Sequence, residues 1–154
     1  MKRLSALLTQ IAHQIPNAYR SNTSISTSPV GWHIEHALLV INQIIAALQA
    51  SDPSNYQPKL SFWKLVIFTT QKIPRGKVKA PKQVQPVDTF TVASLHTHLL
   101  HTQSAIQQLS SLQANQHFKH PMFGHLNIKS TIKFLSIHTS HHLHIINDIV
   151  KGGK

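Results

Sequence analysis

The chain has 154 residues, no cysteine, 15 basic against 4 acidic side chains and 13 histidines, giving a formal charge of +11 with the imidazoles neutral. A single domain spanning 1–154 is expected, long enough to bury a core unaided. The lack of thiols excludes a cysteine nucleophile, a disulfide framework and any thiolate zinc site. Four carboxylates (Glu35, Asp52, Asp88 and Asp148) are too few for a di-iron centre, so imidazole is the ordinary metal ligand left. The charge favours anionic partners. No apolar run reaches the roughly 18 residues of a membrane span. The basic start Met1-Lys2-Arg3 is followed by no small-residue cleavage site, so it reads as a helix start. A cytoplasmic protein without membrane association is expected.

Leu4, Leu7, Leu8, Ile11 and Ile15 mark one face of a first helix that Pro16 bends or ends. Arg20 to Ser28 is a polar loop. Ser28-Pro29 then opens a second helix, with Ser as cap and Pro at its first position. It runs to about Ala50, is apolar nearly all round and carries Trp32, His33, Glu35 and His36 in its first turns. Leu60 to Thr70 reads as a short helix packed over the others, and Gln71 to Val87 as a basic, proline-punctuated loop. Its Arg75-Gly76-Lys77 either sits at a pocket mouth or is simply solvated. Phe90 to Leu112 gives a third long helix, in which His96, His98 and His101 are surface or edge residues. Ala114 to Asn127 is read as a loop whose last residue caps the final helix.

That final helix, Ile128 to Val150, has no Pro or Gly. At about 100° per residue its apolar stripe, including Phe134, Leu135, Ile145 and Ile149, also contains His138 and His142. The two are neighbours at i and i+4. Buried imidazoles need partners, and one metal satisfies both. His141 and His144 fall at the stripe's margin. Four long helices near 2–19, 29–50, 90–113 and 128–151 form an all-α bundle, and such cores take ligands from facing helices. The third ligand should come from the start of the second helix, where His33 lies nearer the apolar arc than His36.

Three stretches now carry a resemblance: Ser28-Pro29-Val30-Gly31-Trp32-His33-Ile34-Glu35-His36-Ala37-Leu38; Lys72-Ile73-Pro74-Arg75-Gly76-Lys77 with Ala80-Pro81-Lys82; and His120-Pro121-Met122-Phe123-Gly124 followed by Ile137-His138-Thr139-Ser140-His141-His142-Leu143. Together they resemble the DinB-like four-helix bundles, in a subgroup described mainly as a domain of unknown function. The likeness covers most of the chain. The short extra helix and the long basic loop stand between helices two and three of this bundle. The likeness implies one divalent metal held by a second-helix histidine and the H-x-x-x-H pair of the last helix. By motif these are His36, His138 and His142, with His33 the alternative to His36.

Three neutral imidazoles suit zinc or nickel first, then iron or copper, with a position open to water or substrate. Some proteins of the family resemble thiol-dependent transferases or isomerases. A metal-dependent transferase or hydrolase acting on a small anionic or thiol-bearing substrate is therefore expected, or else a non-enzymatic metal- or anion-binding bundle. No general base is evident, and Glu35 either orients a histidine or, the reading preferred, faces solvent near the helix N-terminus. Nucleic-acid binding ranks last, because no aromatics interleave the basic loop. A homodimer is allowed.

Overall fold

The computed structural model describes residues 1–76, 84–86 and 89–152. Its helices are α1 (Lys2–Gln14), α2 (Val30–Ala50), α3 (Phe62–Thr70), α4 (Val92–Gln108) and α5 (Ile128–Gly152). The four long ones pack in a ring. α1 and α2 each lie against both α4 and α5.

The apolar spacing of α1 does what its pattern requires. Leu4, Leu7, Leu8 and Ile11 are all buried. The helix stops sooner than its pattern suggests, because Pro16 falls in a 3-10 turn over Ile15–Asn17. In α2, Ile34, Leu38, Ile41 and Leu48 are sealed in the core. Its start departs from expectation. Pro29, not Ser28, holds the cap position, and no side chain caps it. The orphan N–H groups of Val30 and Gly31 instead donate to the carbonyls of Arg20 and Ala18, at 3.0 and 2.8 Å. The entry to α2 is thus bolted to the chain leaving α1. Gly31 lies against Phe90, where a β-carbon would stand 2.1 Å from the ring, so only glycine fits with the ring in this place.

Helix α3 falls where the short helix is expected, with Ser61 accepting from the Lys64 N–H as its cap. It ends on Gln71 in the left-handed region. α4 opens with a reciprocal capping box between Thr91 and Ser94. The basic residues Lys77, Lys79 and Lys82 of the expected loop lie outside the described residues.

A further expectation fails. The stretch read as a loop before the last helix contains an antiparallel hairpin, β1 (His117–His120) and β2 (Gly124–Asn127), with Phe118 opposite Leu126. The fold is therefore mainly helical rather than all-α. Phe118 and Leu126, paired across the strands, turn inward together while Lys119 is exposed. Gly124, at φ +71°, makes the return that other residues resist. His120 supports the tip by accepting from the N–H groups of Met122 and Phe123, at 3.1 and 3.3 Å. Its ring stacks on Phe123 at 4.0 Å. Asn127 then caps α5 as expected, its side-chain oxygen accepting from Ser130 N–H at 3.1 Å.

Core truncation should separate sharply from surface truncation. Leu38→Ala, at a fully buried position, should cost about 2–5 kcal/mol. Leu100→Ala, on the exposed side of α4, should stay within about 0.5 kcal/mol of the parent. Urea-unfolding midpoints measure both.

Candidate metal centre

The seam between α2 and α5 gathers imidazoles. His138 and His142, one turn apart on α5, have ring centroids 4.6 Å apart. His36 on α2 faces both, at 5.2 and 4.7 Å. One nitrogen from each of His36, His138 and His142 lies within 4.8 Å of the others, so the cluster could hold a metal ion. His36 and His142 are buried, and His138 is partly so.

Hydrogen bonds decide which nitrogen each ring can offer. His36 Nδ1 sits 2.7 Å from the carbonyl of Val84. A carbonyl only accepts, so Nδ1 carries the proton and Nε2 keeps its lone pair. His142 Nδ1 lies 3.1 Å from His33 Nδ1, and His33 Nε2 lies 2.9 Å from Ser26 Oγ. Donation from His142 to His33 and from His33 to Ser26 satisfies both contacts and leaves His142 Nε2 as an acceptor. Partners of this kind orient metal-binding histidines and raise their basicity. His138 differs, because its buried Nδ1 has no hydrogen-bond partner. An orphaned buried nitrogen costs free energy unless a cation or donor meets it. The three residues therefore fit a bound cation on an observation independent of their spacing.

The alternative ligand His33 has both ring nitrogens engaged. It stands behind His142 as an orienting partner. Spacing alone could not separate His33 from His36, because both are buried on α2. The walls are aromatic. Trp32 stacks on His36 at 5.1 Å and meets His33 edge-on at 5.2 Å. Phe134 lies 5.8 Å from His138.

Other histidines sort by place. His141 meets His142 edge-on at 5.2 Å. His144 is exposed. His117 is buried in the hairpin, stacked on His125 at 4.3 Å and away from the cluster. His98, expected at the surface or an edge, is partly buried, and Glu35 does not simply face solvent. Glu35 Oε1 lies 3.0 Å from His98 Nδ1, and His98 Nε2 lies 2.7 Å from Asn42 Nδ2. The glutamate thus orients a histidine, but one on α4 outside the cluster. Arg75 pairs with Asp148 of α5 at 2.7 Å. Its charge also adds to the lowering of the His141 and His33 pKa values.

Burial is the first cause of shift throughout the site. It takes His33 and His141 to about 4 and holds His138 and His142 well below the usual imidazole range, with neighbouring histidines adding to each. His36 is also lowered by burial, against the Val84 hydrogen bond, which raises it. All are neutral at pH 7 and competent to donate lone pairs.

Comparison with known proteins adds nothing to this geometry: no family model, curated protein or solved structure matches the chain.

The same burial sets a pH dependence for the metal-free protein. Unfolded imidazoles take up protons near 6.5, whereas His33, His120 and His141 do so only near 4 in the fold. Below pH 6.5 the unfolded chain binds more protons, so stability present above that pH should fall as pH approaches 4. Urea midpoints at descending pH measure the slope, and His120→Gln should flatten part of it.

Proposed function

We propose that the chain is a DinB-like metal-binding protein in which His36, His138 and His142 hold one divalent transition metal, zinc or nickel ahead of iron or copper. The observation that carries this reading is the meeting of three neutral imidazoles, one nitrogen of each within 4.8 Å of the others, in a seam where His138 also has a buried Nδ1 without a partner. The likeness of the H-x-x-x-H stretch and of Trp32-His33-Ile34-Glu35-His36 to the family's motifs supports it. When bound, such a metal supplies Lewis acidity and lowers the pKa of a ligating water or thiol.

The chain's own residues set the rest. Val84 holds the ring of His36 in one tautomer, and His33 orients the ring of His142. Trp32 and Phe134 line the seam with aromatic surface, which limits water. Arg75, although paired with Asp148, lies near enough to lower the His141 pKa, and the basic balance of the chain favours a small anionic or thiolate-bearing substrate. On this reading the protein is a metal-dependent transferase or hydrolase.

One observation favours the alternative, a non-enzymatic metal-binding bundle. Among the described residues no carboxylate is at hand to act as base. Glu35 is bound to His98, Asp148 to Arg75, and Asp52 caps the 3-10 turn after α2. Turnover of thiol or ester substrates by the loaded protein, against tight metal binding without turnover, separates the two readings.

Elemental analysis of protein purified without a histidine tag should find about one transition metal per chain. His138→Ala and His142→Ala should each remove most of it, and His36→Ala likewise. His33→Ala should weaken affinity by about 10- to 100-fold while keeping stoichiometric binding at saturation. His117→Ala and His144→Ala should change nothing. Full metal content in the His138→Ala/His142→Ala double variant would refute the reading.

A further inference from the structure

On the far side of α3 from the bundle, the chain turns large apolar side chains to water. Leu60 is fully exposed, Phe62 is 72% and Leu65 67% exposed, and half of Trp63 faces solvent. The helix is anchored through its other face. Ile67 is buried, and Phe68 packs edge-on against Phe123 at 6.0 Å. The hairpin tip continues the patch. Ser61 Oγ donates to the carbonyl of exposed Met122 at 3.0 Å, and Leu60 and Met122 line one shallow cavity with Lys59 and Lys119. A contiguous run of exposed aromatic and aliphatic side chains marks a contact surface.

The charges around it are of one sign. Lys59 and Lys119 flank Leu60 and Met122, and Lys64 and Lys133 reach over the Phe68 ring at 5.8 and 5.4 Å. Three acidic residues of the chain are committed elsewhere, to His98, to Arg75 and to the turn after α2. The fourth, Asp88, lies outside the described residues. Phe, Trp and Leu rimmed by lysine is the chemistry of a surface that enters the boundary between lipid headgroups and acyl chains. Two copies joined through this patch would bring like charges together, whereas an anionic bilayer complements them.

We propose that α3 and the hairpin tip dock this protein on an anionic lipid surface. Phe62, Trp63 and Leu65 enter the interface, and Lys59 and Lys119 meet the lipid phosphates. The expectation of no membrane association rested on the want of a spanning segment. Among the described residues no helix is long and apolar enough to cross a membrane, and peripheral docking needs none.

The test uses the full chain with vesicles of phosphatidylcholine, alone or with about 30% phosphatidylglycerol. Co-sedimentation with the anionic vesicles only is expected. It should come with a blue shift of tryptophan emission that Trp63→Phe loses, and it should weaken at about 0.5 M salt. The Phe62→Ser/Leu65→Ser variant should lower vesicle affinity about tenfold or more at unchanged helical content and melting temperature, since both side chains are exposed. Absence of vesicle binding, or binding that the double variant leaves intact, overturns the proposal. So does a dimer in sedimentation velocity that the double variant dissolves while vesicles bind nothing, since a second copy is then the occupant.

Discussion

A neutral imidazole has one donor and one acceptor nitrogen, and both must be met when it is buried. The seam between α2 and α5 is built on that constraint. His36 is fixed by Val84, and His142 by His33 and Ser26. His138 is the member whose buried nitrogen the protein does not satisfy. Everything that fixes the start of α2 serves this seam. The carbonyls of Ala18 and Arg20 hold its first turn, and the Phe90 ring, packed on Gly31 and stacked on Tyr19 at 5.7 Å, closes the same end.

The opposite seam, between α2 and α4, uses histidine differently. Glu35, His98, Asn42 and Thr102 form a chain of hydrogen bonds in which the two nitrogens of His98 are both engaged. That imidazole ties two helices together and has no lone pair to offer. Two histidines three residues apart on one helix, His33 and His36, likewise divide into a support and a candidate ligand. Residue type and burial are the same, and the partner of each nitrogen makes the difference.

Where the sequence is strongly periodic it reveals the fold. The spacing of Leu4, Leu7, Leu8 and Ile11, and the shared stripe of His138 and His142 on α5, follow from helical geometry alone, and both faces are buried. The hairpin was hidden because four-residue strands carry too few alternations to outweigh a polar, histidine-rich composition. Its cues were Pro121 and Gly124 bracketing a tip between Phe118 and Leu126. The roles of Glu35 and His98 were not legible, since their contact joins residues 63 positions apart through helix packing. Spacing favours His33 and the motif favours His36, and it is helix packing that sets His36 beside His138 and His142.

The Val84 carbonyl has a further consequence. The His36–Val84 bond joins α2 to the proline-punctuated stretch between α3 and α4, across 48 residues of chain. A hydrogen bond is shared equally by its ends. An electrophile drawing on His36 Nε2 makes the Nδ1 proton a better donor and tightens the hold on Val84. By reciprocity, whatever seats Val84 makes His36 a better base. Occupancy of the seam and the seat of Val84 are then coupled, with neither free to change without biasing the other.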